Sequence, residues 1–60
     1  MEVVHKINKK TQEVHTLDVI DAIKEIGGFQ PWQYQYVIKN FKDGCIYQNL
    51  DYNYKYVGVV

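Results

Sequence analysis

The 60-residue chain has no arginine and no serine, and only one cysteine, one proline and four glycines. Each shortage narrows the field. Arginine is the usual bidentate reader of phosphate and guanine, and its place is taken only by seven lysines. Four Asp and three Glu balance those lysines to zero net charge. The basic excess by which nucleic-acid binders neutralise phosphate is therefore missing, and attraction to an anionic membrane surface loses support in the same way. Cys45 stands alone, so no intrachain disulfide can form, and with His5 and His15 it falls short of the about four ligands of a structural zinc site. Gly27-Gly28 is the only glycine cluster, which leaves no phosphate-cradling or dinucleotide-binding loop. No G-x-S-x-G, H-E-x-x-H or paired C-x-x-C pattern occurs. No stretch approaches the about 20 apolar residues that span a bilayer. Met1 to Lys6 lacks the roughly 7–15-residue apolar region of a signal peptide, and a single thiol suits a reducing cytoplasm.

Length bounds the rest. A chain of this size forms one domain, residues 1–60, and buries only about 60% of its unfolded surface. Cores of chains below roughly 70–80 residues supply few kcal/mol without a staple. Neither disulfide nor metal offers one here, so a homodimer or a bound partner is the remaining source of stability. Apolar residues make up 47% and charged residues 23%, ordinary values for a globular domain. Missing arginine alongside abundant Lys, Asn, Ile and Tyr fits a low-GC genome, such as that of a phage or other mobile element.

All nine aromatic residues follow position 28, which divides the chain into an aliphatic, charged first half and an aromatic, amide-rich second half. In residues 2–8, Val3, His5 and Ile7 share one parity, as in a half-buried strand. Residues 8–12 form a polar turn, and 13–16 return as a second strand, predicting a β-hairpin. Thr16 is the expected N-cap of a helix over 17–26. Asp18 and Asp21 favour its N-terminal dipole, Leu17, Ile20, Ile23 and Ile26 form its apolar stripe, and Gly27 ends it. Residues 31–41 fit two periods. Pro31 and the spacing of Tyr34, Val37, Ile38 and Phe41 predict a helix; Trp32, Tyr34, Tyr36 and Ile38 alternating with Gln33 and Gln35 would suit a strand. A helix leaving at Asp43-Gly44 is the preferred reading. A strand from Cys45 to Leu50, a turn at residues 51–53 and a terminal strand from Tyr54 to Val59 complete an α+β domain of order ββααββ, with ββαβββ as the alternative. Its antiparallel sheet is covered by helix on one face.

The candidate sites each carry a plain structural reading beside the chemical one. His5 and His15 come opposite each other if the hairpin turns near Lys10, a pair that could hold a metal or simply decorate a sheet. Cys45 could serve as a nucleophile if a base stood near; a buried structural thiol is the simpler expectation. Asp18, Asp21 and Glu25 line one side of the first helix, where they could bind a divalent ion, dock a basic partner or form a solvated face, with Lys24 nearby. Phe29 and Trp32 flank the Pro31 loop, one expected in the core. A two-helix unit over 17–41 could mimic a helix-turn-helix, presenting Gln33, Gln35, Lys39 and Asn40.

The aromatic second half offers the main surface. Tyr52, Tyr54 and Tyr56 share one strand face, and Tyr47 lies close in sequence. Such rings stack bases, anchor protein interfaces or pack under a helix with their hydroxyls at the rim. The function expected from these residues is that of a small non-catalytic binding module without cofactor, which occludes or adapts a larger partner protein through Trp32, Tyr36, Tyr47, Tyr52, Tyr54 and Tyr56. The alternative is a nucleic-acid-binding regulator acting through Gln33, Lys39, Asn40, Lys42 and Lys55.

Overall fold

Alternation and turn chemistry shape the first third of the chain. In the computed structural model, which describes all 60 residues, strand β1 spans Glu2–Asn8 and β2 spans Val14–Asp18. Asn8 closes the turn between them. Its Oδ1 accepts from the N–H groups of Lys10 and Thr11, and Gln12 N–H donates to the Asn8 carbonyl. Gln12 sits at φ 64°, a left-handed conformation that an L side chain adopts at some cost. Helix α1 follows directly as Val19–Ile26. The strand carries on through Thr16 and Leu17, so the cap moves from the expected Thr16 to Asp18, whose Oδ1 accepts from Ile20 N–H at 2.8 Å. Gly27, at φ 76°, ends the helix as expected.

Residues 31–41 are helical. A 3₁₀ turn, Pro31–Gln33, runs into helix α2, Tyr34–Lys42. Pro31 presets the first turn, Gln33 Oε1 accepts from Gln30 N–H at 2.7 Å, and Gln33 N–H donates to the Gln30 carbonyl. Burial of Val37 and Phe41, with Tyr34 and Ile38 half-buried, selects the 3.6-residue period over the alternating one. The chain leaves through Asp43-Gly44. Beyond it the expected strand over 45–50 shrinks to β3, Tyr47–Gln48, because Asn49 begins the turn: its side chain accepts from Asp51 and Tyr52 N–H. The turn therefore begins two residues earlier than the expected 51–53, and β4 starts at Tyr52, running Tyr52–Val59.

The element order is ββααββ, with four antiparallel strands ordered β2-β1-β4-β3. The first and last strands occupy the centre of the sheet. Register places Val4 opposite Leu17 and Tyr56, and Lys6 opposite His15 and Tyr54. Those residues share the face that both helices cover, where Val4 and Tyr54 pack against Val19, Ala22, Ile23, Val37 and Phe41. Val3, His5 and Ile7, the parity that the strand pattern suggested, lie on the opposite face, where Val3 is buried and His5 and Ile7 are half-buried. A bulge leaves Val57 unpaired between Tyr56 and Gly58.

Two ion pairs clip the helices to β1. Lys6 Nζ lies 2.6 Å from Glu25 Oε1 in the last turn of α1 and 4.3 Å over the Tyr52 ring. Lys42 Nζ, at the end of α2, lies 2.6 Å from Glu2 Oε1. Both strand residues point to the helical side at the ends of the core, where a long stem covers apolar surface while the charge reaches the rim.

Candidate functional site

Six aromatic residues formed the expected partner surface, and the fold splits them. Tyr54 is 1% exposed, at the centre of the core. Tyr47, Tyr52 and Tyr56 are half-buried against it. Tyr47 stacks at a tilt on Phe41, 4.9 Å between centroids, and meets Phe29 edge-on at 6.1 Å. Its hydroxyl accepts from Asn40 Nδ2 at 3.0 Å, and the Tyr54 hydroxyl accepts from Asn49 Nδ2 at 3.3 Å. Tyr56 donates to Glu2 Oε1. The strand tyrosines do share one face, but it is the face under the helices, with their hydroxyls turned to the rim. Burial pushes the phenols of Tyr54 and Tyr56 above their ordinary range, and for Tyr56 the neighbouring Glu2 carboxylate adds to it.

Trp32 and Tyr36 stand apart. They are 66% and 57% exposed, and their spacing of four residues puts them on one side of the 3₁₀–α2 segment, away from the buried Val37 and Phe41. Lys39 and Gln35 are exposed on the same helix, and Lys39 takes part in none of the ion pairs. Of the two residues flanking Pro31, Phe29 packs against the core and Trp32 faces solvent.

The five residues of the nucleic-acid alternative do not converge. Gln33 is engaged in the cap with Gln30, Asn40 holds Tyr47, and Lys42 is paired with Glu2. Lys39 lies on α2, whereas Lys55 pairs in register with His5 on the outer sheet face. The histidines separate as well. His5 is opposite Thr16, and His15 is opposite Lys6, so the two imidazoles fall on opposite faces of the sheet. Cys45 is exposed, not buried, because the chain between α2 and β3 runs along the surface. The acidic trio is dispersed by its own bonds: Asp18 caps α1, Glu25 pairs with Lys6, and Asp21 is left in solvent. No three His, Cys, Asp or Glu side chains are grouped to hold a metal ion.

The sequence reading missed the exposed aliphatic residues: Val14 on β2, Val57 at the bulge, and Ile46 and Leu50 around β3, Leu50 being 90% exposed at the hairpin tip. Leu50 between Asn49 and Asp51 was the available signal, an apolar residue inside turn chemistry. The surface carries no pocket, and no helix is long and apolar enough to cross a membrane. Comparisons with protein-family models, with curated proteins and with solved structures find nothing that matches this chain.

Proposed function

We propose that the protein is a non-catalytic binding module that occupies a larger protein through the Trp32–Tyr36 ridge of the 3₁₀–α2 segment. One observation carries this reading: of nine aromatic residues, these two alone are exposed, and they sit one helical turn apart. Trp and Tyr are the residues most enriched at interface hot spots, and each can bury about 150–250 Å² on contact. Backed by a core that fixes α2 in place, the ridge is preorganised, which lowers the ordering cost of association. Gln35 and Lys39 supply a polar rim. Occlusion or adaptation of the partner follows from coverage of its surface, with no chemical step. A reducing cytoplasm suits the exposed Cys45 thiol.

The test is affinity capture from a cytoplasmic extract with and without nuclease, comparing the wild-type chain with the Trp32→Ala/Tyr36→Ala variant. The reading expects one protein retained in stoichiometric amount after nuclease and lost with the double variant at unchanged melting temperature. Retention that vanishes with nuclease and falls steeply with salt would instead support the nucleic-acid alternative, since phosphate contacts release counterions. Capture indifferent to the double substitution would refute the ridge as the binding surface.

A further inference from the structure

The sheet has two edges, and they differ. β3 is two residues long, and Cys45 N–H beside it is already bonded to the Asn40 carbonyl. β2, at the other edge, has five residues, Val14–Asp18, with Val14, His15 and Thr16 exposed. It contains no Pro and no Lys, the usual devices that blunt an edge strand.

Hydrogen-bond alternation fixes which backbone groups of β2 are free. Asn8 N–H donates to the Glu13 carbonyl across the hairpin, and Lys9 N–H donates to the Asp51 carbonyl on the other side of β1. Even-numbered residues of β1 thus bond to β2 and odd-numbered ones to β4. With Lys6 opposite His15 and Val4 opposite Leu17, those pairs are the bonded ones. Val14 and Thr16, opposite Ile7 and His5, therefore turn their N–H and C=O groups outward.

We propose that β2 is the pairing strand of a closed homodimer, in which two copies of β2 run antiparallel and join the two sheets into one. The occupant is a second copy of this chain because the exposed groups are self-complementary. A two-fold axis at His15 sets Val14 of each copy opposite Thr16 of the other. The four outward N–H groups of Val14 and Thr16 then meet outward carbonyls. The same register sets Glu13 opposite Leu17, so no two like-charged carboxylates face each other, whereas a shift by one residue would oppose Glu13 to Asp18. Since only one edge of each molecule is open, the pairing stops at two copies and does not propagate into a fibre. This surface is separate from the Trp32–Tyr36 ridge, which lies on the helical layer.

Sedimentation of the full chain from about 1 µM to about 1 mM, together with amide hydrogen exchange, tests the proposal. Wild type should pass from monomer to dimer, and the Val14 and Thr16 amides should become protected as concentration rises. Thr16→Pro removes an outward N–H without touching the ladder to β1, and should weaken association by about tenfold or more through loss of the two symmetry-related bonds. His15→Lys, which places two ammonium groups across the axis, should do the same and serves if the proline variant fails to fold. Trp32→Ala should leave the dimer intact. A monomer at every concentration, Val14 and Thr16 amides that exchange independently of concentration, a dimer that survives both β2 variants, or growth to larger species would each overturn it.

Discussion

Tyr54 and Trp32 are both large aromatic residues, yet removing one asks about the fold and removing the other asks about the surface. Tyr54 is packed among Val4, Ile23, Val37 and Phe41 at the centre of the core. Tyr54→Ala should cost about 3–5 kcal/mol. At roughly 0.05–0.15 kcal/mol per residue, the total for so short a chain is of the same size. Circular dichroism should therefore show this variant largely unfolded at room temperature. Tyr54→Phe keeps the ring and loses only a 3.3 Å hydrogen bond from Asn49, and should cost no more than about 1 kcal/mol. Trp32→Ala should stay within about 0.5 kcal/mol of wild type, since the indole is mostly in solvent. A Trp32→Ala variant that melts like Tyr54→Ala would show that the indole is part of the core. Cys45 belongs at this scale too. Its thiol is exposed, so an aromatic disulfide reagent should modify it to completion in the folded protein without denaturant.

At the scale of elements, capping and turn geometry decide where helices and strands stop. Asp18→Ala should remove about 1 kcal/mol by orphaning the Ile20 N–H, whereas Thr16→Ala leaves the start of α1 untouched; comparing their urea midpoints checks the assignment. Gln12 holds a left-handed backbone at φ 64°. Gln12→Gly should relieve that strain and raise stability by up to about 1 kcal/mol, and a lowered midpoint would contradict it. These positions also show what was legible in the residues. β1, the hairpin turn, the apolar stripe of α1, its glycine stop and the exit of α2 at Asp43-Gly44 follow from local chemistry and were readable. The fate of Thr16 was not, because β2 stays paired with β1 through Asp18 and tertiary pairing overrides a capping preference. Period alone left 31–41 open. Burial of Val37 and Phe41 against a sheet that includes the chain's last strand decided it, a contact between distant segments. The shared face of Tyr52, Tyr54 and Tyr56 was visible, but whether that face met helix or solvent depended on which side of β4 the helices cover. Residue type placed Trp32 and Tyr36 only within a set of six aromatics, and nothing local separated them from the four tyrosines that pack in or against the core.

Across the whole molecule, the Glu2–Lys42 and Lys6–Glu25 pairs tie α2 and α1 to the two ends of β1, and they set the pH limits of the fold. Glu2 is held below its ordinary value of 4.5, first by the hydrogen bond from Lys42 and further by that from Tyr56. A carboxyl with a depressed folded pKa stabilises above its unfolded pKa, and loses that contribution as pH falls through the folded one. Lys42 and Lys6 are raised above 10.5, first by their bonds to Glu2 and Glu25, and Tyr54 is raised above 10.0 chiefly by burial. Groups with raised folded pKa values stabilise fully below the unfolded values and lose that stability as pH climbs through the folded ones. The melting temperature should therefore be level through neutral pH, fall below about pH 4.5 and fall again above about pH 10. Glu2→Gln keeps the shape and the Tyr56 contact but not the charge, so it should lower the neutral plateau slightly and flatten the acid limb. Because the Glu2 and Lys42 side chains reach solvent, high salt should shrink the difference between variant and wild type. Acid limbs that superimpose for Glu2→Gln and wild type at low salt would show that the clip does not hold α2 to the sheet. In that case the packing of Val37 and Phe41 alone fixes α2, which carries Tyr36 and is entered through the 3₁₀ turn of Trp32.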